Sequence, residues 1–257
     1  MPLLPADARE IFEREGWYVA RYLFAGEQIT SLLDASKRLE AEAADFDRNR
    51  LLRGVSFELQ TATGRRGEPP VFLGALRKIR FPSKRESAFQ ALRSNPTLFQ
   101  ALDELGLPTP KCMVDQLNFK LPRVGTGFPF HQDTYFVQGT SKTRIERHGG
   151  INLVIALDHA DEGNGGLEVL GRTHHSEVAF TYDRASTNEG VFDETHRTAL
   201  ALEPGDTLFF HPLLAHGSGN NRSDRHRRVV TMWFRGGGST VRAGGKQRPL
   251  PRERESR

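Results

Sequence analysis

The chain is predicted to be mainly β with flanking helices, a jelly-roll core buttressed by amino-terminal helices. Three observations predict it. Apolar residues recur at helical spacing only between residues 6 and 105. From Lys111 onward, short apolar or alternating runs are separated by Gly-rich turns. Finally, 257 residues can bury one sizeable core, and helices followed by many short strands favour a two-sheet β architecture.

The elements follow in order. Residues 6 to 15 read as a helix, Trp17 to Leu23 as extended chain, and residues 26 to 44 as a second helix with Ile29, Leu32, Leu33 and Leu39 on one stripe. Arg48 to Pro70 is polar and broken by glycine, which predicts loop with short strands. Lys78 to Phe81 reads as a strand. Residues 86 to 105 read as helix, broken at Asn95-Pro96 because the residue before a proline avoids the α region. Met113 to Leu121 alternates, with Val114, Gln116, Asn118 and Lys120 on one face. Ile151 to Leu157 is a near-continuous apolar strand, and Gly165-Gly166 turns into Leu167 to Leu170. Pro204-Gly205 suits the centre of a type II turn leading into Thr207 to His211. Gly217 to Asp224 makes a polar turn, and Arg227 to Phe234 is the last strand.

Composition excludes several classes. No run of about 18 apolar residues is present to span a membrane. The opening MPLLPADAREIFEREG carries acidic residues and no long apolar stretch, so it does not read as a signal peptide. A single cysteine, Cys112, cannot form an internal disulfide or a Cys-based zinc site, and a reducing cytoplasm is the expected location. The formal charge of +4 resides in the segment 236–257, which holds six basic and two acidic residues. Residues 1–235 are therefore balanced and form the expected domain, with no basic surplus to draw in nucleic acid. The tail, rich in Gly, Pro and Arg, is expected to be solvated and flexible.

Chemistry concentrates at His131-Gln132-Asp133 and at the later His216, with Arg227 eleven positions beyond. In a strand, residues i and i+2 point to one face, so His131 and Asp133 can offer an imidazole and a carboxylate to one point. A distant His216 completes a two-His-one-carboxylate triad, the donor set of non-haem Fe(II) oxygenases. On the Arg227–Phe234 strand only one of Arg227 and Arg228 can face inward.

These residues resemble the phytanoyl-CoA dioxygenase family of Fe(II)- and 2-oxoglutarate-dependent oxygenases, whose fold is a double-stranded β-helix (cupin-like jelly roll). The resemblance covers nearly the whole chain except the tail. EREGWYVARYLFAGEQI is similar to the family's opening helix and strand, HQD at 131–133 to its first two ligands, and NGGLEVLGRTHH from Asn164 to its Gly-rich turn. PGDTLFFHPLLAHGSGNNRSDRHRR is the most specific match. Leu170-Gly171-Arg172 departs from it, because the family commonly has a proline before the glycine. The resemblance implies His131, Asp133 and His216 as iron ligands and catalytic centre, with O2 as oxidant. It implies Arg227, rather than Arg228, as the partner of the 2-oxoglutarate tail carboxylate, a task for which a permanently charged, bidentate guanidinium is suited. It also places Lys78 where a further basic contact to 2-oxoglutarate often lies. The carboxylate Asp133 favours hydroxylation over halogenation, since related halogenases have a small residue there.

Gln116 and Asn118 could line the same cavity, while an ordinary strand role serves either of them, and Lys78, equally well. Gln132 is undecided between facing outward and touching the co-substrate. Thr207 could help hold a carboxylate, and His211, His174 and His175 read as structural. Thr134 to Gly150, with Tyr135, Phe136, Lys142, Arg144 and Arg147, is expected to recognise substrate, and Asn188 to Arg197 is a second candidate lid. The basic residues suit an anionic substrate or simply a solvated loop. The reading is a dioxygenase hydroxylating a small metabolite, with succinate and CO2 released. The alternative is a catalytically idle jelly roll that binds a metabolite or partner. Oligomeric state is not legible.

Overall fold

The computed structural model describes residues 1–64, 67–182, 188 and 190–237. Five helices are labelled here: α1 Ala8–Glu15, α2 Gly26–Glu42, α3 Ser87–Leu92, α4 Pro96–Glu104 and α5 Gly139–His148. The strands are β1 Trp17–Ala20, β2 Arg50–Leu52, β3 Val55–Leu59, β4 Leu76–Arg80, β5 Lys111–Lys120, β6 Phe128–His131, β7 Gly150–Ala156, β8 Leu167–Leu170, β9 Arg197–Ala199, β10 Thr207–Phe210, β11 His216–Ser218 and β12 Arg227–Arg235. They form an eight-stranded sheet in the order β1-β10-β7-β12-β5-β4-β3-β2 and a four-stranded sheet in the order β6-β11-β8-β9. Every strand pair is antiparallel. This is the expected jelly roll.

Period-two alternation in the large sheet separates two cores. Leu117 and Phe119 of β5, Leu153 and Ile155 of β7, and Val230, Met232 and Phe234 of β12 point outward. They bury against Ile29, Leu32 and Leu39 of α2 and Leu98 and Leu102 of α4. Each such side chain, fully buried, contributes about 1.5–3 kcal/mol. Val154, Ala156, Leu208, Phe210 and Val229 point the other way, towards Val169 and Leu214 between the sheets. Asn95 caps α4 through Oδ1, which accepts from Leu98 N at 3.0 Å, so the Asn-Pro break lies where the sequence put it.

Two elements differ from expectation, and a third site shows what the departure from the family pattern does. Residues 139–148, expected as part of a substrate loop, form α5, a polar helix that buries only Ile145 and so shows no apolar stripe. β6 ends at His131, and Asp133 opens a 3-10 turn rather than continuing the strand. Arg172, at the departure from the family pattern, adopts φ +66 and forms a two-point ion pair with Glu15 of α1 (2.9 and 3.1 Å). Gly236 N donates to Gly149 O at 3.1 Å, and the remainder of the basic tail, from residue 238, lies outside the described residues.

Candidate active site

The two sheets enclose a cavity of about 730 Å³. His131 and His216 are direct cross-strand partners in the β6–β11 pair, which sets their rings 4.4 Å apart. Gln132 keeps an extended backbone (φ −106, ψ 133), so Asp133 still faces the same side as His131 although the strand has ended. The result brings Asp133 Oδ1 to 3.6 Å from His131 Nε2 and 3.8 Å from His216 Nε2. All three residues are buried, and their ligand atoms lie within 4.8 Å of one another.

The hydrogen bonds around the triad leave its ligand atoms available. Nδ1 of His131 lies 2.7 Å from Pro129 O and Nδ1 of His216 lies 2.9 Å from Leu214 O. A carbonyl can only accept, so each Nδ1 carries the proton and each Nε2 keeps its lone pair for a metal. Burial and then the neighbouring His131 push the His216 pKa down to about 4, which keeps it neutral near pH 7. Burial raises the Asp133 carboxyl, but His216, His131 and an Asn152 bond more than offset it, so it stays below its ordinary value. Asn152 Nδ2 donates to Asp133 Oδ2 at 2.6 Å, which turns Oδ1 towards the imidazoles. The sequence reading missed Asn152, though a lone amide inside an apolar strand was the available signal.

Arg227 enters the barrel and Arg228 leaves it. Arg227 is fully buried and lines the cavity, its Nη2 donates to Gly165 O at 3.1 Å, and its Nε has no hydrogen-bond partner among the described residues. Burial first, and then Arg77, lowers its pKa to about 10, still cationic at neutral pH. Gly165 adopts φ +76, and a Cβ there would meet Gly219 O at 2.7 Å, so this close approach needs glycine. Arg228 forms a bidentate pair with Asp158 (2.8 and 3.0 Å) and reaches Glu40 of α2 at 3.3 Å.

Lys78, Gln116 and Asn118 all line the cavity. Asn118 Nδ2 donates to Thr231 Oγ1 at 2.8 Å. Gln132 is fully buried and turns away from the cavity, donating to Leu213 O (2.6 Å) and Ser176 O (2.9 Å) and accepting from Val178 N (2.8 Å). It therefore fastens two loops behind the ligands. Thr207 is buried but does not line the cavity. His211 accepts from Leu213 N at 3.1 Å, and burial beside His174 and His175 pushes its pKa down to about 4, a structural placement. Lys120, expected on the same strand face as Gln116 and Asn118 but given no role, is fully buried and donates to Ser218 Oγ at 2.7 Å and to Gly219 O. It braces β5 against the strand that carries His216.

The expected substrate segment is corrected in part. Of Thr134 to Gly150, only Phe136 lines the cavity. Lys142 pairs with Glu177 on the surface at 2.8 Å, and neither Arg144 nor Arg147 reaches the cavity wall. Of the second candidate lid, Asn188 donates to Phe130 O at 2.8 Å and Phe192 packs on Phe130, so neither is at the mouth.

The arrangement fits a metal that takes two imidazoles and one carboxylate and leaves positions open. The unpartnered Arg227 Nε and the surrounding buried cation fit a carboxylate of a co-substrate. Comparison with known proteins agrees. The phytanoyl-CoA dioxygenase (PhyH) family model matches residues 12–229. The chain is 27% identical over 246 residues to the peroxisomal phytanoyl-CoA dioxygenase of Rattus norvegicus, covering 90% of this chain and 68% of the rat protein. Matches to the Bos taurus and Homo sapiens proteins of that name span only 33% and 32% of their lengths. Among solved structures, EctD from S. alaskensis with 2-oxoglutarate and 5-hydroxyectoine superposes with a TM-score of 0.70 at 20% identity, covering 91% of this chain and 76% of that one. The non-heme alpha ketoglutarate dependent carbocyclase SnoK gives 0.66 at 15%, with 91% and 85% covered. No helix among the described residues is long and apolar enough to cross a membrane. The chain belongs to the phytanoyl-CoA dioxygenase family of Fe(II)- and 2-oxoglutarate-dependent oxygenases.

Proposed function

We propose that this enzyme hydroxylates a C–H bond of a small organic metabolite, with Fe(II) held by His131 Nε2, Asp133 Oδ1 and His216 Nε2. The observation that carries the reading is the convergence of those three atoms at the wall of one cavity, each oriented by a separate hydrogen bond. The chemistry that bound iron and 2-oxoglutarate supply is oxidation of the substrate coupled to release of succinate and CO2 from the co-substrate.

The chain's own residues orient and shield. Arg227 receives the distal carboxylate of 2-oxoglutarate, and the buried, low-dielectric surroundings strengthen that charge-assisted contact. Lys78, Gln116 and Asn118 line the same chamber and complete the polar wall for the co-substrate. Phe128, Phe136, Tyr182, Phe210 and Trp233 supply the apolar surface that excludes water around the reacting carbon. The domain comprises residues 1–235, and the free Cys112 suits a reducing compartment such as the cytoplasm.

Purified protein supplied with Fe(II) and 2-oxoglutarate is expected to form succinate, and a metabolite screen should find compounds that accelerate it and gain one oxygen atom. Acceleration with no oxygenated product would count against hydroxylation.

A further inference from the structure

We infer that Arg80, at the open end of the cavity, recognises an anionic head group (a carboxylate or a phosphonate) on the substrate. The inference rests on the oxygenase reading above and names the substrate class for that site.

The sheet register separates Arg80 from the co-substrate's anchor. Arg227 stands opposite Lys120, Val229 opposite Asn118, and Thr231 opposite Gln116. On the other side of β5, Lys78 stands opposite Asn118 and Arg80 opposite Gln116. Arg80 is thus four residues along from the Arg227 row, about 13 Å, and two strands across, about 10 Å. The line from Arg227 to the triad runs along β12 towards β7, where Asn152 holds Asp133, whereas Arg80 stands on β4, two strands from β12 in the other direction. Asn152, which holds Asp133, pairs with Trp233 at the far end of β12, so the triad lies beyond the Thr231 row. The space between triad and Arg80 is walled by Gln116, Thr231, Trp233, Phe136 and Tyr182.

Charge points the same way. The cavity lining holds three cations (Lys78, Arg80, Arg227) and one carboxylate, Asp133. Fe(II) and dianionic 2-oxoglutarate cancel one another, as do Arg227 and Asp133, which leaves Lys78 and Arg80. On β3, Lys78 faces Glu58, whereas Arg80 faces Ser56. Arg80 is exposed and its side chain makes no hydrogen bond or ion pair among the described residues, its guanidinium lying 5.7 Å from the Phe81 ring.

The backbone after Arg80 is held out of its relaxed state. Phe81 adopts φ +59, a left-handed conformation that a bulky residue rarely takes. Asp115 enforces it: Phe81 N donates to its carbonyl at 2.9 Å, and Ser83 N and Oγ both donate to its carboxylate at 3.0 Å. The turn ends β4 immediately after Arg80 and fixes the backbone that carries it at the cavity rim. An arginine without an ion-pair partner among the described residues, at the rim of a cavity also lined by Phe136, Tyr182 and Trp233, fits an anion on an apolar body.

Anaerobic calorimetry on the enzyme loaded with Fe(II) and saturating 2-oxoglutarate tests this. The probes are phenylacetate, benzylphosphonate and phenylacetamide, with butanoate, propylphosphonate and butanamide as an aliphatic set. Wild type should bind acids at least about tenfold tighter than the matching amides. Arg80→Gln should reduce that preference to within about threefold, and Arg80→Lys should retain part of it. Whichever acid of a pair binds tighter, carboxylate or phosphonate, assigns the head group. Equal binding of acids and amides to wild type, an undiminished preference in Arg80→Gln, or no binding of any probe would overturn the inference. Succinate formation without probe is measured in parallel. Its absence would sink the oxygenase reading, whereas its presence without an acid preference would sink only the role of Arg80.

Discussion

Replacing Asn152 by alanine isolates the support of the metal centre from the centre itself. Asn152 Nδ2 lies 2.6 Å from Asp133 Oδ2, and both residues are buried. Removing the amide strands a buried carboxylate oxygen, a loss of about 1–3 kcal/mol before any relaxation. It also frees the carboxylate to rotate, and the loss of such a supporting bond typically weakens metal affinity about 10–100-fold, or about 1.4–2.8 kcal/mol. Asn152→Ala is therefore expected to raise the Fe(II) Kd by that factor in an anaerobic titration against a chelating dye, with the folded state retained. Asn152→Asp should lose at least as much, because two carboxylates so close cannot both ionise. An Asn152→Ala protein that is folded and binds Fe(II) within about twofold of wild type would refute the reasoning.

Arg227→Gln should weaken 2-oxoglutarate binding about tenfold or more, whereas Arg228→Gln should leave that affinity near wild type and cost about 1–3 kcal/mol in denaturant unfolding through loss of its Asp158 pair. Arg172, and then Arg14, hold the Glu15 pKa down to about 2 from an ordinary 4.5. The stabilisation is thus complete above pH 4.5 and lost as pH falls towards 2, so Glu15→Gln should be less stable than wild type at pH 7 by under about 1 kcal/mol, with the difference gone near pH 2. Removal of residues 240–257, which lie outside the described residues, should leave 2-oxoglutarate turnover within about twofold of wild type. Loss of most activity would make the tail part of the working site.

What the sequence made legible follows from its periodicities. Strand period alone divided Arg227 from Arg228 into opposite faces, and the wall made by Gln116 and Asn118 follows from the same alternation. The helical stripe of α2 was visible because its buried residues are apolar and regularly spaced. The polar helix α5 has no such stripe, so residues 139–148 read as loop, and of the two roles open to their basic side chains, substrate contact or a solvated surface, they do not reach the cavity. Asn152, Gln132 and Lys120 were not legible because their roles depend on partners brought in from distant strands and loops. Local pattern cannot distinguish a buried, fully bonded amide from a solvated one. The position of Arg80 is of the same kind: only the register of β4 on β5 places it at the cavity mouth.

The central claim is that His131, Asp133 and His216 hold the iron that turns over 2-oxoglutarate. Succinate formation by purified wild type and Asp133→Ala protein, each with and without added Fe(II), measures it directly. The account predicts Fe(II)-dependent succinate from wild type and loss of about a hundredfold or more in Asp133→Ala, with the thermal unfolding of the two proteins alike. Turnover in Asp133→Ala equal to wild type, or succinate formation by wild type that ignores Fe(II), would contradict it.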